Sequence, residues 1–355
     1  MLIRFATPQE LENWDSLILK NPDNGNIFQS FEMTNFKKLS GWKPLYLVAE
    51  SSDETHNLYI SVQEKSIAFL GKLWYISKGP GVKNTAELKV ILPFLNNLAR
   101  GNKVFAIKIE PELLKTEQNL SELSNLGLYK VRPIQPNYST IILDISGSEE
   151  EILSSMPRKG AKYSINRARR DGVTVKRADS TDDNCRFFYE LLAQTARESG
   201  FNIRTFDYHK EFWQVFAKKG LGQLFFAYFD GQVVAAAYAF IFGEKSTYKD
   251  GASVRQRTAY GASHLLQWEV INWARENGAK QHDLCGTPPS NKIHDKDHPH
   301  YGIGIFKTSF SREITDYIGA FDLPIRKFKY KIWAKFGEKL TLKIHRARHN
   351  GENWY

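Results

Sequence analysis

Short apolar runs separated by turns, each set closed by one long helical repeat, make up both halves of the chain. In the first half KPLYLVAE (43–50), NLYISVQEKSIAFL (57–70) and LWYISKGPG (73–81) carry the β-branched and aromatic residues of strands. Thr85 to Arg100 then places Leu88, Ile91, Leu92 and Leu95 at helical spacing, stops at Gly101, and leads into the strand KVFAIKIEP (103–111). The second half repeats the order. QLFFAYFDGQVVAAAYAFIFGEKSTYKDGAS (223–253) reads as three antiparallel strands with a hairpin at Asp230-Gly231, followed by a helix over Ala259 to Asn277 and the strand KQHDLCG (280–286). The pattern predicts two copies of one α/β unit.

Antiparallel strands, a helix and a further strand form the order of a GNAT-type acyltransferase core. The boundary is expected near QPNYSTIILDISGSEEEI, where a strand hands over to an acidic helix start around Ser148. That helix continues into MPRKGAKYSINRARRDG, with six basic residues and a break expected at Pro157 and Gly160. An acyl-CoA enzyme of this fold needs a glycine-containing pyrophosphate loop at a helix N-terminus. In VRQRTAYGAS, Gln256 is followed by Ala259 and Gly261, and Arg257 by Tyr260 and Ala262, so the loop is degenerate and the acyl-CoA reading is weakened.

Composition adds bounds. With 355 residues, 42% hydrophobic and 25% charged, the chain is an ordinary globular protein with material for two cores. The N-terminus lacks the basic and apolar regions of a signal peptide and no apolar run is long enough to span a bilayer, so a cytoplasmic location is expected. The two cysteines, Cys185 and Cys285, have no metal-type spacing, and HDKDHPHYG (294–302) matches no standard site, so a polar loop without metal is expected there. The net charge of +10 is concentrated in one tail, where Arg326 to Arg348 holds nine basic residues against Glu338 alone. Phe328, Ile332, Phe336, Leu340 and Ile344 recur there every fourth residue, beside a row of Lys327, Lys331, Lys335, Lys339 and Lys343. This predicts an amphipathic helix with a basic flank, which is either a solvated face or the contact for a polyanion, nucleic acid or an anionic membrane surface.

Ordered motifs over roughly 300 residues carry a family resemblance: FQSFEMTNFKKLSGW, SKGPGV, IKIEP, KYSINRARRDGV, TARESGFNIRTFDY, STYKDGAS, SHLLQWEVINWA, HDLCG and GIGIFKTSF. Together they resemble the Fem-type (FemABX) aminoacyltransferases, which build peptidoglycan side branches from aminoacyl-tRNA. The resemblance implies an α/β (α+β) chain of two GNAT-like domains in tandem, 1–147 with 317–355 and 148–316, the first binding the acceptor and completed by the basic tail helix. Tyr208 to Leu224 leaves no room for the helical arm of some members, so the chain is similar to the armless, FemX-like type.

The activity implied is transfer of an amino acid from aminoacyl-tRNA to the stem-peptide amine of a UDP-linked muramyl pentapeptide or of lipid II, by a monomer without cofactor, in the cytoplasm or at the inner face of the membrane. Competing readings are an acyl-CoA-dependent N-acyltransferase and a non-catalytic relative that binds RNA or membrane. Lys307 is the central residue, a lysine in the apolar run YGIGIFKTSF that is expected to be a strand. Pattern alone allows a strand-edge lysine that reaches solvent; the match implies a cation for the oxyanion or the tRNA phosphate, with Phe306 stacking on the terminal adenine. Lys37, Arg204 and Tyr208 match positions that hold the acceptor's diphosphate, Tyr248 one that touches its peptide or sugar, and Glu110 and Asp283 the carboxylates at the strand ends. Either carboxylate is able to take the amine's proton, or the amine arrives neutral, and no general base is assigned.

Overall fold

The apolar face of the first long helix does what its spacing requires. The computed structural model describes residues 1–51, 57–200, 202–254, 259–349 and 354–355. In it helix Thr85–Gly101 is capped by Asn84, whose side chain accepts the Glu87 N–H, and turns Leu88, Ile91, Leu92 and Leu95 inward. They pack on Leu47, Ile60, Val62, Trp74 and Ile107 of the sheet, each fully buried aliphatic side chain being worth roughly 1.5–3 kcal/mol. Crossing by this helix, Gly71–Ile76 and Val104–Ile109 pair in parallel, whereas the strands before them are antiparallel. The sheet has seven strands in the order Leu2–Phe5, Lys43–Glu50, Leu58–Ile67, Gly71–Ile76, Val104–Ile109, Phe321–Pro324, Tyr129–Lys130.

The second sheet repeats the plan. Its order is Thr315–Asp316, Ser139–Asp144, Gln281–Gly286, Lys245–Ser253, Gln232–Phe242, Gly222–Phe229, Thr174–Ala178, with helix Ala262–Glu276 burying Leu265, Leu266, Trp268, Val270 and Ile271 against it. The chain divides into Met1–Tyr138 with Asp316–Tyr355, and Ser139–Thr315. Strand Ser139–Asp144 pairs with Gln281–Gly286, which puts the division nine residues before the Ser148 expected from sequence. Helix Phe206–Lys218 passes through a short turn into strand Gly222–Phe229, so among the described residues there is no coiled-coil arm.

Two segments differ from their sequence reading. Tyr301–Thr308 is a helix, not a strand: the inward residues are Gly304, Lys307 and Phe310, three apart, while Ile303 and Ile305 face solvent. The alternating isoleucines suggested a strand, and they are the exposed residues. The tail forms helix Lys327–Ile332, a π turn Trp333–Gly337, and helix Glu338–Arg348. It docks through Tyr330 and Trp333, which enter a cluster with Trp42, Leu70, Leu73, Tyr75, Phe105 and Trp354, and leaves the five-residue apolar stripe exposed.

Candidate active site

In the second unit, strands Lys245–Ser253 and Gln281–Gly286 pair over three positions only, ending with Thr247 opposite Asp283. Past that point both deviate. On the first, Ala239 pairs with Tyr248 and Tyr238 with Asp250, which leaves Lys249 as the extra residue of a bulge. On the second, pairing slips between Asp283 and Gly286 and Cys285 takes a left-handed φ of 64°. Bulges bend and re-aim strands, and here they flank the point where parallel pairing stops. Just before it, His282 is fully buried with Nδ1 2.6 Å from Ser246 Oγ and Nε2 2.6 Å from Gln267 Nε2. Gln267 donates, so Nε2 accepts and the ring is neutral, its pKa pushed down to about 3 by burial.

Lys307 reaches this split from helix Tyr301–Thr308. It is 6% exposed, and its Nζ donates to the Gly286 carbonyl at 2.7 Å and lies 6.0 Å from the Tyr248 ring centroid. Burial pulls its pKa below the usual lysine range, with Cys285 and Asp283 offsetting part of the shift. Asp283 Oδ1 accepts from Thr140 Oγ1 and from the Cys285 N–H at 2.7 Å, so it braces the slipped strand. Burial, then Asp250, raises the Tyr248 phenol. Lys307, Tyr248 and Asp283 thus gather at the split. Phe306 stands about 100° round the helix from Lys307 and packs on His264 at 4.9 Å and Phe310 at 5.5 Å. Its ring is half-buried against the core, which leaves less of its face for stacking than an open strand would offer.

A second group lies along helix Phe206–Lys218. Thr205 caps it, and Arg204 stacks over Tyr208 at 4.5 Å. The Tyr208 ring stacks on Phe212, over which Lys249 Nζ sits at 5.3 Å. Lys249 bonds to Asp250 at 2.9 Å, and Asp250 accepts the Trp213 indole N–H at 3.0 Å. Burial pulls the Lys249 pKa down, but Asp250 more than offsets it and the lysine stays charged above its usual range. Arg204, Tyr208 and Lys249 therefore offer two cations and a phenol, a donor set that suits a diphosphate. Sequence reasoning passed over the Lys249–Asp250 pair; its signal is the charged pair inside the otherwise strand-like STYKDGAS.

Lys37 and Glu110 belong to the first unit. Lys37, half-exposed, begins the 3-10 turn Lys37–Ser40. The Gln-Ser pair that precedes it is scaffolding. Buried Gln29 donates to the Ser77 carbonyl at 2.6 Å and accepts the Ser61 N–H at 2.8 Å, and Ser30 caps helix Phe31–Phe36. Glu110 is engaged from both oxygens, by Tyr75 Oη at 2.5 Å and by the Ile134 N–H at 2.6 Å; burial raises its pKa. Those contacts suit a brace better than a substrate-amine contact. Nearby Lys78 pairs with Glu112 at 3.3 Å and donates to the Asn137 carbonyl. No cluster of three metal-binding side chains exists among the described residues, and Gln256 and Arg257 of the degenerate loop lie outside them.

The model of the FemAB family matches residues 7–232 and 221–336. A lipid II:glycine glycyltransferase of Staphylococcus aureus (strain MRSA252) is 24% identical, with 92% of this chain and 94% of the relative covered. That alignment spans 407 positions against a chain of 355 residues, so the relative carries inserted segments with no counterpart here. The crystal structure of FemX superposes with a TM-score of 0.79 at 23% identity, covering 94% of this chain and 99% of that one. A conserved protein of unknown function from Bacteroides thetaiotaomicron gives a TM-score of 0.54 at 13% identity, covering 91% of this chain and 99% of its own.

Proposed function

The chain belongs to the FemAB family, and we propose that this transferase moves an amino acid from aminoacyl-tRNA to the stem-peptide amine of a peptidoglycan precursor. The amine nitrogen attacks the aminoacyl carbonyl carbon; the tetrahedral oxyanion collapses, the ester C–O bond breaks, and the ribose hydroxyl leaves carrying the proton that the amine gives up. The observation that carries the proposal is the Lys307 ammonium, buried at the split between two strands with the Gly286 carbonyl as its hydrogen-bond partner among the described residues. A cation in so dry a position is worth far more to a developing oxyanion than one in water. Tyr248 and Asp283 line the same split, and Phe306 supports the helix that brings the lysine in. The glycyltransferase name of the S. aureus relative supports a lipid II acceptor; the UDP-linked pentapeptide presents the same stem peptide and a diphosphate.

Arg204 and Tyr208, joined by Lys249, are assigned to that diphosphate; the Lys37 assignment rests on the motif match alone. Incubation with labelled charged tRNA and each acceptor tests the reaction. Label should reach the precursor and disappear on RNase treatment, whereas transfer that requires acyl-CoA would replace this reading with the N-acyltransferase one. Arg204→Ala and Lys37→Met should each raise KM for the acceptor well above any change in KM for the tRNA; equal effects on both substrates would remove the phosphate assignment.

A further inference from the structure

The tail helix leaves Phe328, Ile332, Phe336, Leu340 and Ile344 at 77, 40, 60, 57 and 42% exposure, although its other face, through Tyr330 and Trp333, already holds it to the first unit. A four-residue repeat slips about 40° per step on an α-helix, about 160° over this stripe. The π turn Trp333–Gly337 takes in an extra residue, about 100° of rotation, and brings the stripe back within one face. Lys327, Lys331, Lys335, Lys339 and Lys343, all exposed, run beside it in the same rhythm. Phe69, wholly exposed with a left-handed φ of 62°, stands at a hairpin tip whose neighbour Leu70 lies against Gly337 of the π turn. Thus a further exposed aromatic ring is carried beside the helix.

We propose that this face, the stripe with Phe69 and the lysine row, is a docking surface for an anionic lipid bilayer, with the helix lying in the interface plane. Charge and apolarity together select that occupant. A bilayer surface takes apolar side chains into the acyl boundary and ammonium groups against anionic headgroups. Nucleic acid would satisfy the lysines and leave five apolar side chains in water, and a second copy would set like-charged lysine rows against each other. Among the described residues no helix is long and apolar enough to cross a membrane. The inference stands whichever acceptor the enzyme uses.

Flotation of the full chain with phosphatidylcholine vesicles, with and without phosphatidylglycerol, over a salt series tests it. Binding should require the anionic lipid and weaken as salt rises. Replacing Lys331, Lys335 and Lys339 with Gln should lower partitioning by roughly a hundredfold. Phe336→Gln with Leu340→Gln should lower it by roughly tenfold or more at unchanged charge and unchanged melting temperature, since both residues are exposed. Phe69→Ser, outside the helix, should lower it independently. Partitioning unaffected by the apolar substitutions would overturn the proposal, as would lysine-dependent binding to duplex RNA with no vesicle binding. Loss of a vesicle-independent dimer in the apolar variants would overturn it in favour of self-association.

Discussion

Lys307 places a buried ammonium on the Gly286 carbonyl, and Cys285 and Asp283 offset only part of the cost of burying it, so further negative charge developing beside it is stabilised. Lys307→Met keeps the length and the apolar stem. It should lower kcat at least tenfold, against the roughly 3 kcal/mol typical of such a contact, while the melting temperature holds or rises. A structural lysine gives the reverse, near-normal kinetics with a lower melting temperature, and steady-state kinetics beside thermal melting distinguishes the two. His209 is a different case. Neither ring nitrogen has a partner among the described residues, and burial pushes its pKa from 6.5 to about 4. Above pH 6.5 it is neutral in both folded and unfolded chains. As pH falls below 6.5 the unfolded chain takes up the proton first, so stability declines until about pH 4. His209→Phe should remove roughly 3 kcal/mol of that decline, read as a flatter melting temperature between pH 7 and 4; an unchanged slope would count against a buried neutral ring. His264, at about 4, and His282, at about 3, keep a residual slope of the same sign.

At the scale of elements, the site depends on helix Tyr301–Thr308 approaching closely. A Cβ on Gly304 would stand 3.0 Å from Ile293 Cδ1 and Pro288 Cδ, whereas one on Gly302 meets nothing within 4 Å. Gly304→Val should therefore cost about 1–3 kcal/mol and lower kcat, because Lys307 lies one turn further on. Gly302→Ala should be neutral or slightly stabilising, since it lowers the freedom of the unfolded chain and raises helix propensity. Melting and turnover of the two variants side by side make the check, and equal effects would mean that the close approach is not what positions Lys307.

At the scale of the whole molecule, the chain returns to its first unit to finish it. Lys108, 1% exposed, pairs with Asp322 at 2.8 Å and faces Glu338 at 3.6 Å, and Trp333 is fully buried. Residues more than two hundred positions apart thus share one core. Trp333→Ala should cost about 3–5 kcal/mol. Amide exchange is expected to rise across residues 1–138 while residues 139–315 keep their protection; an equal rise in both would contradict the division into two units.

The sequence by itself determined the two-fold α/β plan, the helix–strand order and the family, because each long helix has to bury a spaced apolar face and each parallel strand needs a crossover. Tertiary structure decided the rest. The run at 301–310 is too short for periodicity to separate strand from helix, and packing of Gly304 against Pro288 and Ile293 selects the helix. The split that receives Lys307 comes from bulges at Lys249 and after Asp283, which are mismatches between strands that no single strand encodes. In the tail, the stripe was legible as an apolar face, but only the fold shows Trp333 and Tyr330 already filling the core. A sequence records which residues are apolar; the sites available to bury them exist only once the chain has folded.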